Sequence, residues 1–86
     1  MIVKDMGYRS RTEIISQILD TANGGITKTK LMYKVSLSHD QLKEYLAVLT
    51  QSDLLRFEFV SRTFMATEKG LRFLEAYNQM DAVMKA

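Results

Sequence analysis

The stretch from Ile26 to Leu49, ITKTKLMYKVSLSHDQLKEYLAVL, constrains the fold more than any other segment of the chain. Ser38 and Gln41 stand three residues apart, the spacing at which a serine hydroxyl caps a helix and a glutamine returns the bond. Behind them Leu42, Tyr45, Leu46 and Leu49 recur at intervals of three and four, so one face of this helix is apolar and belongs in a core. Upstream, Thr27 can cap a shorter helix running to about Tyr33, with Leu31 and Met32 turned inward. Val35 to Leu37 leaves room only for a tight turn between the two helices. The outer face led by Ser38, His39, Asp40 and Lys43 has no packing duty and is the first candidate for function.

The flanking segments extend this pair into a domain. Ser10 and Glu13 have capping-box spacing, and Ile14, Ile15, Ile18, Leu19 and Ala22 follow on one face, so a helix starts at Ser10. Asn23, Gly24 and Gly25 end it, because glycine takes a left-handed backbone at little steric cost. The long helix after Ser38 should reach about Gln51, with Ser52 and Asp53 marking its end. Beyond Leu54 the period changes: Leu55, Phe57 and Phe59 alternate with Arg56 and Glu58, as in a half-buried strand. A second strand at Thr63 to Ala66 returns through the turn Val60 to Thr63, which lacks glycine, asparagine and proline and so has no assignable type.

Thr67 then caps a final helix with Glu68 in its first turn. Leu71 and Leu74 can pack on the domain. Phe73, Tyr77, Met80 and Met84 follow spacings of four, three and four, the pattern of a coiled-coil seam. Running to about Lys85 at 1.5 Å per residue, this helix would be roughly 27 Å long and should project from so small a body. The order helix, helix, helix, strand, strand, helix predicts an α+β, mainly α fold: a helix-turn-helix with a two-stranded wing and a long C-terminal helix. It reads as one domain over residues 1–86, with a body at about 10–66 and the last helix at 67–85.

Composition narrows the function. With 86 residues and 47% apolar content the chain can build one modest core, not two. It has no cysteine and a single histidine, His39, which argues against disulfides and zinc sites, and no cofactor is expected. No run approaches the roughly 18 apolar residues of a membrane span, and MIVKDMGYRS puts charges where a signal peptide needs its apolar region, so the expected location is cytoplasmic. Carboxylates are dispersed among lysines and arginines, no second histidine completes a triad and no glycine-rich phosphate loop is present, so an enzyme is not expected.

The net charge of +2 is small, but its distribution is uneven. Residues 1–38 carry six basic side chains against three acidic ones, whereas the remainder carries six against seven. From Ile26 to Ser38 there are three lysines and no acid.

ITKTKLMYKVSLSHDQLKEYLAVL, LLRFEF and TEKGLRFLEAY, taken in that order and spacing, resemble the small archaeal winged-helix proteins whose domain ends in a dimerising helix. The likeness covers about residues 10–80. It implies a winged helix-turn-helix protein that binds double-stranded DNA, as a transcriptional regulator or a chromatin-associated, nucleoid protein, paired as a homodimer through its last helix. Two departures are visible: Asp53 stands where such proteins commonly have glycine, and the wing tip is Ser61-Arg62, short and without glycine.

A third helix entering the major groove would present Ser38, His39, Asp40, Gln41 and Lys43 to base edges, with Gln41 shared with the capping box. Lys28, Thr29, Lys30 and Lys34 suit phosphates, where helix N-terminal N–H groups add to lysine charge, and Arg9, Arg11 and Arg62 could extend that footprint. Asp40 and Glu44 would repel phosphate and limit indiscriminate binding. The dimer interface is expected at Phe73, Tyr77, Met80 and Met84, and no small-molecule effector or membrane partner is indicated.

Plainer readings compete. The lysines can be an ordinary solvated face, His39 can be idle, and the Phe73 to Met84 stripe can fold back on its own domain. Tyr33 and Tyr45 fit the apolar stripes and are read as core or core-edge residues. A protein-interaction module without DNA binding is the rival function, since winged helices also serve as adaptors. An adaptor would expose an apolar patch on the third helix or wing, where charges are expected instead.

Overall fold

The computed structural model describes residues 9–85, and the charges counted at Lys4 and Asp5 lie outside them. Seven elements follow in order: α1 (Arg11–Thr21), β1 (Ile26–Thr27), α2 (Lys28–Val35), α3 (His39–Gln51), β2 (Leu55–Glu58), β3 (Thr63–Ala66) and α4 (Glu68–Lys85). The helices begin where the capping signals put them. Ser10 Oγ accepts from the Glu13 N–H at 3.0 Å, and Thr27 Oγ1 from that of Lys30 at 3.4 Å. At α3 the box is reciprocal: Ser38 Oγ accepts from the Gln41 N–H at 3.1 Å, and the Ser38 N–H donates to Gln41 Oε1 at 3.0 Å.

Helix ends rely on left-handed residues. Ser36 (φ 55°) closes α2, Asp53 (φ 62°) follows α3, and Gly24 and Gly25 (φ 95° and 101°) turn the chain between α1 and β1. Asp53 thus stands at a conformation that glycine fills without penalty, and aspartate is among the few other residues that tolerate it.

The strands form one antiparallel sheet in the order β1-β3-β2, so the sheet has three strands where two were expected. Ile26 pairs with Phe64 and Thr27 with Thr63. A two-residue strand carries no alternation to read, and Thr27 serves twice, pairing with β3 by its backbone and capping α2 by its side chain. In the wing itself, Leu55 pairs with Ala66 and Phe57 with Phe64, joined by the loop Phe59 to Arg62.

Ile18, Leu19 and Ala22 from α1, Leu31 and Val35 from α2, Leu42, Leu46 and Leu49 from α3, with Leu37, Leu55 and Leu74, make a single buried cluster. At about 25 cal/mol per Å² of apolar area removed from water, this cluster is the principal source of stability in a chain with no cysteine. The start of α4 is clamped to the α3–β2 junction. The Thr67 N–H donates to Leu54 O at 3.1 Å, Thr67 Oγ1 donates to Asp53 O at 2.6 Å, and Lys69 Nζ donates to Ser52 O at 3.0 Å. Gly70 permits this approach, because a Cβ there would run into the Leu54 carbonyl oxygen and crowd Leu19. Beyond Tyr77 most of α4 is exposed, and the described residues extend 47 Å along their longest axis against 26 and 19 Å along the others.

Candidate nucleic-acid interface

The tight turn at Ser36 and Leu37 brings the N-termini of α2 and α3 together. Lys28, first residue of α2, lies with its Nζ 3.1 Å from Nε2 of His39, first residue of α3. An ammonium can only donate, so Nε2 accepts and the ring proton sits on Nδ1, which faces Asp40 Oδ1 at 3.6 Å. Two capped N-termini, each with the positive end of its dipole outward, therefore share one surface with a lysine between them.

Around this junction the expected site residues fall into separate groups. On α2, Leu31 and Val35 are buried, so at 3.6 residues per turn Thr29, Lys30, Tyr33 and Lys34 occupy the outer face, while Lys28 leans toward α3. Tyr33 is 74% exposed, which corrects its assignment to the core. The i, i+4 pair Leu31 and Val35 defines the buried stripe, and Tyr33, midway between them, must lie across the helix. It is the functional candidate that the sequence pattern concealed. Tyr45, in contrast, packs at the core edge under the Arg11 guanidinium, 5.8 Å from its ring centroid.

On α3 the stripe Leu42, Leu46 and Leu49 turns Asp40, Glu44, Ala47 and Gln51 directly outward. His39 and Lys43, four apart, form the flank facing α2. The centre of this helix surface is therefore acidic and its α2-side flank basic, so the base-facing set is not uniform. Ser38 and the Oε1 of Gln41 are occupied in the capping box, leaving the Gln41 amide N–H groups as donors.

Arg9 has another partner set than phosphate. Its guanidinium donates to Gln17 Oε1 at 2.6 Å, Val35 O at 2.7 Å and Ser36 O at 3.2 Å. The left-handed end of α2 leaves those carbonyls without helical partners, and Arg9 fills the gap. Arg62 stands exposed at the end of the wing loop with φ 57°, whereas Arg56 is paired with Glu58 at 3.0 Å.

Charge was expected to dominate the wing and α3, and this needs correction. The wing tip exposes Phe59 at 82% and Val60 at 96%, and α3 exposes Val48 at 52%. Because β2 ends at Glu58, Phe59 and Val60 run past the edge of the core with nothing above to cover them.

Along α4 the apolar stripe divides. Phe73 packs against the core and Tyr77 is half-buried, while Met80 and Met84 are exposed. All four line one open groove with Thr12 of α1 and Ala76 and Asp81 of α4. No helix among the described residues is long and apolar enough to cross a membrane, and none of their His, Asp or Glu side chains gather in threes as a metal site.

A three-helix body with a capped helix pair, a β-hairpin directly after the third helix and a strand between the first two helices defines a winged helix-turn-helix domain. The chain belongs to the winged helix-turn-helix family, whose model matches residues 8–85. That fold is typical of DNA-binding regulators. No curated protein matches the chain.

Proposed function

We propose that this protein binds double-stranded DNA as a homodimer joined through α4, acting as a transcriptional regulator or a chromatin-associated protein of the nucleoid. It would then resemble in use the small archaeal proteins it resembles in sequence. The observation that carries this reading is the junction at Lys28 and His39, where two helix N-termini and a lysine form an anion-attracting surface. Lys30 and Lys34 extend it along α2, and Arg62 offers a further cation on the wing. In this reading His39 and Lys43 contact base edges from the flank beside α2, and Asp40 accepts from a cytosine amino group. The exposed Met80 and Met84, continuous with the groove at Phe73 and Tyr77, support pairing of two copies.

The test is fluorescence anisotropy with a mixed-sequence duplex at about 50 mM salt, where phosphate contacts of this kind are strong. Saturable binding is expected, and its absence would remove the DNA reading. The rival reading, an adaptor that binds another protein, gains from Phe59, Val60 and Val48, all exposed. It is supported if the duplex fails to bind.

A further inference from the structure

The exposed aromatic at the wing tip is braced. Phe64 packs against the core; the Phe57 ring lies 4.9 Å from it, tilted by 53°; and Phe59 meets Phe57 edge-to-face at 6.3 Å and 83°. Ser61 Oγ and Thr63 Oγ1, 2.7 Å apart, tie the far side of the loop. A row of rings thus runs from the core to the tip and ends on two apolar side chains in solvent, with Arg62 beside them and no acidic residue in the loop. From these observations we infer that the wing tip is a wedge: Phe59 and Val60 enter the minor groove, unstack a single base step and bend the duplex, while Arg62 meets the groove's negative potential.

The size of the patch favours this occupant over a protein. A buried aromatic covers about 150–250 Å², and Phe57, Phe59 and Val60 together fall short of the roughly 800 Å² per partner of a standard protein interface. A narrow hairpin tip carrying two apolar groups and one cation matches what inserts between bases in minor-groove binders. Thr63, which closes the wing loop, pairs with Thr27, the residue before Lys28, so the hairpin stands beside the Lys28–His39 junction. The inference rests on the DNA-binding reading above.

The experiment uses the whole chain and a short duplex with a central TA step, a readily unstacked pyrimidine–purine step, carrying fluorophores at both ends for energy transfer. The wild type is expected to raise transfer on binding, corresponding to a bend of about 20–90°. The double variant Phe59→Ala, Val60→Ala alters only exposed side chains, so its fold is retained. It should bind with an unchanged salt slope, because phosphate contacts lie elsewhere, and lose the rise in transfer. Binding by the wild type without any rise, or an equal rise by the double variant, overturns the wedge and leaves the tip to a protein partner. No binding at low salt overturns the wedge and the DNA reading together.

Discussion

Lys28 Nζ stands 3.1 Å from His39 Nε2, so the first residue of one helix hydrogen-bonds the first residue of the next across the turn. A residue assigned to phosphate and one assigned to bases are thereby a single unit. Their effects on duplex affinity should be non-additive. In a double-mutant cycle, Lys28→Ala and His39→Ala are expected to couple by about 0.5–3 kcal/mol, whereas Lys30→Ala should add independently to either. Anisotropy titrations of the four proteins on one duplex measure this, and strict additivity would show that the contact is not made on DNA.

Arg9 should matter for stability rather than for the duplex. Arg9→Ala removes a charged donor from the carbonyls of Val35 and Ser36, an interaction of about 1.5–3 kcal/mol. A fall in the urea midpoint with an unchanged salt slope of DNA binding is expected. An intact midpoint with a flattened slope would return Arg9 to the phosphate set.

Gly70 is required by the approach of α4 to Leu54. In an ordinary helix interior alanine outranks glycine by about 0.8–1.0 kcal/mol, so propensity alone predicts that Gly70→Ala stabilises. The Leu54 carbonyl oxygen reverses the sign, and overpacking of this kind costs about 1–3 kcal/mol. Thermal unfolding decides between the two directions.

What the sequence made legible is what local chemistry dictates. Ser10, Thr27 and Ser38 announce their helices because a cap needs a hydroxyl within three residues of the N–H it accepts from. Leu42, Leu46 and Leu49 announce their face because the helical period is fixed, and Asp53 marked the end of α3. The remainder depended on distance in space. β1 is too short to alternate and exists only because Thr63 and Phe64 lie beside it. Arg9 bonds residues 26 and 27 positions away. Phe59 looked like the next inward residue of a strand, but β2 ends at Glu58 and Phe59 begins the loop beyond the core.

The α4 stripe gives an independent prediction about assembly. Tyr77→Glu with Met80→Glu should yield a monomer in sedimentation where the wild type is a dimer, because two carboxylates would be placed in the proposed seam. Met80→Glu with Met84→Glu touches only exposed positions and should give the same result without perturbing the fold. Unchanged mass in both would put the contact elsewhere.

The salt dependence of duplex binding tests the central claim most directly. If each subunit of a dimer makes about four to six phosphate contacts, log K should fall linearly with log salt at a slope of about −7 to −11. Lys28→Ala with Lys30→Ala should weaken all sequences alike and flatten that slope by about two per lysine, one from each subunit of the dimer. A protein that binds no duplex at about 50 mM salt, or binds with a slope near zero, would contradict the account.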